Sequence, residues 1–321
     1  MHPFEELLQS FESKFNQRIF PQTPATLYDP AQYILGIGGK RVRPVLCLMG
    51  NELFDEIRPD AWHAAAAVEL FHNFTLIHDD IMDQAPLRRG KETVHQLYGM
   101  NTAILSGDAM MIMAWECLRK VNKEFLPALL QVFNKTALEV SEGQQLDMDY
   151  EKKEIVSLDE YIHMITLKTS VLLAASLQMG AIIGGAGEGN ARHLYEFGKN
   201  LGVAFQVQDD YLDAFGDPAQ FGKQVGGDIL ANKKTFLLIH ALETATGSDR
   251  SLLNTLIESN PPDKVEQMLG IFRRTGVDGW AVQLKNDYLE KSFEHLEKIA
   301  VLNKRKDPLR NLAGFLVKRS Y

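Results

Sequence analysis

Apolar residues recur along most of this chain at spacings of three and four, and the alternating apolar and polar runs of half-buried strands are nearly absent. The pattern predicts an all-α protein. Helices are expected over 61–82, 101–120, 124–149, 157–183, 189–215, 232–245, 249–258, 262–275, 278–300 and 306–318, with another opening near Pro44, which suits a first helical turn. Gly and Pro punctuate most joints, and the loops with special chemistry are 36–39, 84–91, 184–189 and 216–228. No Pro/Gly/Ser linker or compositional break divides the sequence, so a single domain over 1–321 is expected.

The stretch 169–187 contains no charged side chain and so mimics a membrane span. Gln178 interrupts it and four glycines crowd its end, whereas a crossing needs about 20 predominantly apolar residues, so a buried core helix is the better reading. The first eighteen residues are amphipathic and lack the apolar run of an export signal. Cys47 and Cys117 form no CxxC pair and have no zinc-like spacing, which excludes a disulfide scaffold and fits a reducing cytoplasm. A formal charge of −8, from 34 basic against 42 acidic residues, argues against nucleic acid as a partner.

Local charge tells more. Asp79, Asp80 and Asp83 end one long apolar helix pattern, and Asp209, Asp210 and Asp213 end another. Helical positions i and i+4 lie within about 40° of each other, so Asp79 shares a face with Asp83, and Asp209 with Asp213. Uncompensated, such pairs cost a helix about 0.2–0.5 kcal/mol. A hard divalent cation relieves the repulsion, and oxygen-only ligation favours Mg²⁺ over zinc. Carboxylate-held magnesium shares its remaining positions with water and substrate phosphates, so cations are expected nearby. Two basic segments supply them: the Gly-loosened turn at 38–44, with Lys40, Arg41 and Arg43, and the run Arg88, Arg89, Gly90, Lys91. No D-x-D-x-D-G loop suggests a calcium binder.

In order, the motifs are GGKRxRP, HDDxxDxxxxRRG, GQxxD (Gly143, Gln144, Asp147), LKT (Leu167, Lys168, Thr169), FQxQDDxxD and a GK…GGD…K loop. Together these residues resemble the trans-isoprenyl diphosphate synthase, or polyprenyl synthetase, family over about 38–235. The resemblance implies a large helical bundle around a central cavity. It also implies a Mg²⁺-dependent prenyltransferase, with three ions per site, that joins isopentenyl diphosphate to an allylic diphosphate. Residue by residue, it implies that Lys40, Arg43, His72 and Arg89 hold isopentenyl diphosphate. Arg88, Lys168, Thr169, Gln206, Lys223 and Lys233 would meet the allylic diphosphate or its metals. Asp79, Asp83 and Asp209 would ligate magnesium, with Asp80, Asp210 and Asp213 as ligands or in support. Helical spacing agrees for His72, which lies two turns before Asp79 on the same face.

The allylic bond would ionise as charge on the departing diphosphate is stabilised, with water excluded and the released diphosphate as base. A basic tail, Lys304, Arg305, Lys306, Arg310, Lys318 and Arg319, is expected either to close over the phosphates or to be a solvated helix end. In the family, bulky aromatics five and four positions before the first aspartate go with fifteen-carbon products and small residues there with long ones. Phe74 with Thr75 is intermediate and resembles geranylgeranyl diphosphate synthases, with a farnesyl product as the alternative and Phe71 and Met110 as deeper positions. A terpene cyclase and a non-catalytic subunit of a heteromeric synthase fit less well, since the isopentenyl diphosphate motif and both aspartate clusters are intact. A homodimer is expected from the resemblance alone.

Overall fold

The computed structural model describes residues 1–15, 19–216 and 226–317. Among these, every regular element is helical except one hairpin. The ten expected helices are present, and nearly all their ends fall within a turn of expectation. One start differs clearly, because the segment expected over 232–245 becomes helical only at Phe236. Residues 227–230 form a separate short helix, closed by Asn232 in the left-handed region (φ 52°). The Asn232 and Lys233 amides donate back to the Ile229 and Asp228 carbonyls, a Schellman closure that forces the chain out of helix before the next one starts. Contacts divide the chain into two compact units.

The first unit comprises 1–136, 172–195 and 299–309. It contains α1 (Phe4–Phe15), α2 (Ala25–Gly36), α3 (Val42–Glu52), α4 (Pro59–Met82), α5 (Val94–Tyr98) and α6 (Met100–Leu118). Pro59 opens α4, where its missing N–H costs nothing. Val45, Leu46, Leu48 and Met49 of α3, with Val68, Leu70 and Ile77 of α4, are fully buried. The loop after α4 folds into a hairpin of β1 (Leu87–Arg88) and β2 (Lys91–Glu92), in register Leu87↔Glu92 and Arg88↔Lys91. Its turn residues, Arg89 and Gly90, both have positive φ (52° and 74°), as a two-residue type I′ connection requires.

Where α3 meets the apolar helix 171–183, the backbones touch. A Cβ on Gly180 would lie 1.9 Å from the Cys47 carbonyl oxygen, and one on Gly50 would lie 2.3 Å from that of Leu177. The span-like stretch is therefore core: Ala174, Leu177, Met179, Ala181 and Ile183 have no exposure beyond 1%. By length and composition the helix 158–183 alone, among the described residues, is apolar enough to cross a membrane, and it is mostly buried.

The second unit comprises 137–171, 196–298 and 310–321, of which 217–225 and 318–321 lie outside the described residues. Its core joins Tyr161, Ile165, Val207, Phe236, Met268 and Phe272. The helix α7 (Leu126–Lys152) enters it from the first unit. The helix α8 (Leu158–Ile165) starts with a capping box, in which Ser157 and Glu160 exchange side-chain and backbone hydrogen bonds. It runs through a π-turn at Thr166–Ser170 into α9 (Val171–Ile183). Then come α10 (Glu188–Phe215), α11 (Gly227–Leu230), α12 (Phe236–Thr244), α13 (Gly247–Glu258), α14 (Lys264–Arg274), α15 (Val277–Glu297) and α16 (Asn303–Val317).

Candidate active site

Both aspartate clusters occupy C-terminal helix ends. Asp79 and Asp80 are in the last turn of α4 with Asp83 as its C-cap, and Asp209, Asp210 and Asp213 fall in the last two turns of α10. The C-terminal end of a helix carries partial negative charge, so carboxylates there are doubly disfavoured unless a cation compensates. The donors are all hard oxygens, which fits magnesium. Among the described residues no three His, Cys, Asp or Glu side chains converge to hold an ion, so an ion bound here would complete its shell with water or substrate oxygens.

In the first unit the adjacent aspartates part company. Asp79 is half-buried and Asp83 exposed, whereas Asp80 is 1% exposed. Asp80 accepts from Arg88 Nε at 2.8 and 2.9 Å and from Nη2 at 2.6 Å. Arg88 is thus committed to Asp80 in this state rather than extended toward a phosphate. Arg89 turns the other way and donates to the Gly38 carbonyl. Arg43, in the first turn of α3, donates from Nη1 to His72 Nε2 at 3.2 Å. A guanidinium has no acceptor, so this ring nitrogen carries the lone pair. Burial, then the charges of Arg43, Arg89, Arg88 and Arg41, hold His72 well below its ordinary pKa and neutral. These four guanidinium groups make the surroundings of His72 strongly positive. Lys40 is exposed on the same turn, whose Gly38 and Gly39 adopt φ of 88° and 151°.

One turn before Asp79, the Thr75 hydroxyl donates to the His72 carbonyl at 2.8 Å. The Phe74 ring stands between His78 and Phe71, with centroids 4.8 and 5.4 Å away. Phe71 is backed in turn by Phe133 and Trp115.

In the second unit the π-turn sets the geometry. It carries Lys168 and Thr169, and two glycines admit it. A Cβ on Gly143 of α7 would lie 2.2 Å from the Lys168 backbone nitrogen, and one on Gly202 of α10 would lie 2.7 Å from Ser170 Cα. Lys168 pairs with Asp147 of the GQxxD motif, and Thr169 donates to Gln206 Oε1 at 3.2 Å. Gln206 in turn donates to Asp210 Oδ1 at 2.8 Å, while the buried Tyr161 hydroxyl donates to Oδ2. Burial and the charge of Asp228 push the Asp210 carboxyl up, against these two hydrogen bonds. Asp213 accepts from the Asp228 amide at 3.0 Å and so orders α11. Asp228 and Lys233 come within 3.9 Å, and with Asp210 and Asp213 they line one recess. Asp209 is half-buried. Lys223 lies outside the described residues.

The polyprenyl synthetase family model matches residues 24–272. The chain belongs to the polyprenyl synthetase family. A short chain isoprenyl diphosphate synthase of Methanothermobacter thermautotrophicus is 36% identical, over 97% of this chain and 95% of that protein. A geranylgeranyl diphosphate synthase of Sulfolobus acidocaldarius is 34% identical over 98% and 97%, and a geranylfarnesyl diphosphate synthase of Natronomonas pharaonis 34% over 94% and 92%. The crystal structure of a geranylgeranyl pyrophosphate synthase superposes with a TM-score of 0.94 at 43% identity, covering 99% of each chain. The all-α fold of the synthetase family is thereby established for this chain.

Within this polyprenyl synthetase, sequence reasoning missed four side chains that brace the named residues: Glu69 and Asn73 on α4, Tyr161 on α8 and Lys264 on α14. Lys264 has no exposure and donates to Asn232 and Asn260 at 2.7 Å each, fixing the turn before Lys233. Glu69 carried a signal, being a charge within the apolar stretch 64–71, whereas Tyr161 reads as an ordinary core aromatic. Two of the tail's cations, Arg305 and Arg310, are engaged elsewhere. Arg305 donates to the Glu52 carbonyl at 2.7 Å, Arg310 pairs with Glu297, Lys306 is buried, and Lys318 and Arg319 lie outside the described residues.

Proposed function

We propose that this chain condenses isopentenyl diphosphate with dimethylallyl, geranyl or farnesyl diphosphate, and that its product is geranylgeranyl diphosphate. The observation that carries the reading is the pair of carboxylate clusters at helix C-termini, an arrangement relieved by cations, in a chain matched to polyprenyl synthetases over 24–272. Asp79, Asp83 and Asp209 would hold magnesium, three ions per site, with Asp80, Asp210 and Asp213 in support. When bound, the metal neutralises charge developing on the allylic diphosphate as its C–O bond ionises.

Lys168, Thr169, Gln206, Lys223 and Lys233 orient that diphosphate, and Arg88 joins them by exchanging its bond to Asp80. Lys40, Arg43, His72 and Arg89 hold isopentenyl diphosphate, with neutral His72 accepting from Arg43 at Nε2 and left to donate through Nδ1. The double bond then attacks the allylic cation, and a proton leaves to the released diphosphate. Phe74 is the floor of the pocket, with Thr75 beside it. Its ring packs edge-on against Phe71, which Phe133 and Trp115 back in turn, so it resists displacement by a growing chain.

One domain over 1–321, a homodimer and a cytoplasmic location complete the reading. The dimer is supported by exposed apolar side chains along α5 and α6, Leu97, Met100, Ile104, Leu105 and Ile112. Purified protein with isopentenyl diphosphate and each primer, with and without Mg²⁺, should yield a twenty-carbon product only with metal. No elongation with any primer would overturn the reading, and a fifteen- or twenty-five-carbon product would overturn the assigned length.

A further inference from the structure

The turn at 38–43 carries three cations, and they do not face the same way. Lys40 is exposed and Arg43 half-buried beside His72, whereas Arg41 is 4% exposed. Arg41 Nη1 donates to the Glu69 carboxylate and Nη2 to the Leu35 carbonyl at 2.7 Å. Its guanidinium is therefore turned inward. Glu69 is 3% exposed, and its Oε1 also accepts from the buried Asn73 amide at 2.8 Å. The Arg41 backbone sits in the left-handed region at φ 47°, a conformation that costs a non-glycine residue about 1–2 kcal/mol and persists only where its surroundings impose it. The inward ion pair is such an imposition.

The same device recurs on α4. Glu69 and Asp80 are eleven residues apart, which places them about 20° apart around the helix and about 16 Å along it. Asp80 takes in Arg88 as Glu69 takes in Arg41, and each loop keeps its other cations, Lys40 and Arg43 or Arg89, outside the pair. Arg89 closes the arrangement by donating to Gly38.

We propose that Glu69 is a positioning residue for isopentenyl diphosphate: acting through Arg41, it fixes the 38–43 turn so that Lys40 and Arg43 meet the diphosphate, and it never touches substrate. The proposal rests on the prenyltransferase reading above. Substituting Gln keeps the shape of Glu69 but leaves Arg41 unneutralised among Arg43, Arg88 and Arg89, so the turn relaxes and the arginine swings outward.

The experiment compares Glu69→Gln and the double variant Arg41→Met/Glu69→Met with wild type, measuring kcat, KM for isopentenyl diphosphate, KM for geranyl diphosphate and the thermal midpoint. Glu69→Gln should raise KM for isopentenyl diphosphate at least tenfold and leave KM for geranyl diphosphate within twofold. The double variant replaces a buried ion pair with apolar side chains, which commonly restores stability. Its midpoint should return toward wild type while KM for isopentenyl diphosphate stays raised at least tenfold. An unchanged KM, a parallel rise for both substrates, or a double variant in which KM recovers with stability would overturn the proposal. A double variant that does not fold would overturn it as well, since the pair would then serve the fold and not the site. Failure of wild type to elongate any primer would instead overturn the prenyltransferase reading itself.

Discussion

Replacing Gly143 by Ala tests how the π-turn presents Lys168. The added Cβ would meet the Lys168 nitrogen at 2.2 Å and the Leu167 carbonyl carbon and Lys168 Cα at 2.7 Å, all of them backbone atoms. Ordinary contact begins at 3.4 Å, so the π-turn must retreat by about 1.2 Å. No rotamer change can supply that distance. Overpacking of this kind costs about 1–3 kcal/mol, which at this chain length lowers Tm by about 1.5–4.5 °C. A shift near 1 Å in a positioning element costs about 100-fold in rate, or about 2.7 kcal/mol of transition-state stabilisation. Because Lys168 and Thr169 are assigned to the allylic substrate, steady-state kinetics with each substrate varied in turn should show the loss in kcat/KM for geranyl diphosphate. KM for isopentenyl diphosphate should stay within twofold. Wild-type kinetics with an unchanged Tm would refute the reasoning, as would a KM for isopentenyl diphosphate that rises as much as that for geranyl diphosphate.

Adjacent aspartates should separate in the same way. Asp80→Asn breaks a buried pair whose arginine is a quarter exposed, so it should cost about 2–3 kcal/mol in urea denaturation, with Asp79→Asn costing less while still abolishing turnover; equal stability losses would refute the distinction. Neutral His72 sets a pH dependence. Below pH 6.5 the unfolded chain takes up its proton and the folded chain does not, so stability falls by up to about 1.4 kcal/mol per pH unit until the depressed folded pKa is reached. His72→Gln should remove that part of the acid limb of a denaturation series from pH 7.5 to 5.5, and an identical limb would show that His72 is charged in the folded chain. Phe74→Ala should shift products beyond twenty carbons on reversed-phase chromatography, and an unchanged distribution would remove Phe74 as the floor.

The helices and both aspartate clusters were legible because each obeys a local rule: apolar spacing for the helices, and like charges at i and i+4 for the clusters. What was not legible depends on which way a side chain turns. Arg41 and Arg43 look equivalent in sequence, yet one is sealed against Glu69 and the other faces His72, because a positive φ at Arg41 reverses its direction. Arg88 and Arg89 divide in the same manner, across a type I′ turn that no strand pattern announced. Tyr161 was invisible for another reason. Its ring satisfies the core pattern completely, and only its hydroxyl, 49 residues away in sequence from Asp210, does anything further.

At the glycine contacts between α3 and α9, backbone meets backbone, so no side-chain rotation can relieve a change at those points. Amide protons of α3 should therefore be among the slowest in the chain to exchange with solvent. The basic turn at 38–43 springs directly from that helix, so its cations are mounted on a stiff base. Any slow step that admits or releases a diphosphate must then be sought in segments that do not share this seam.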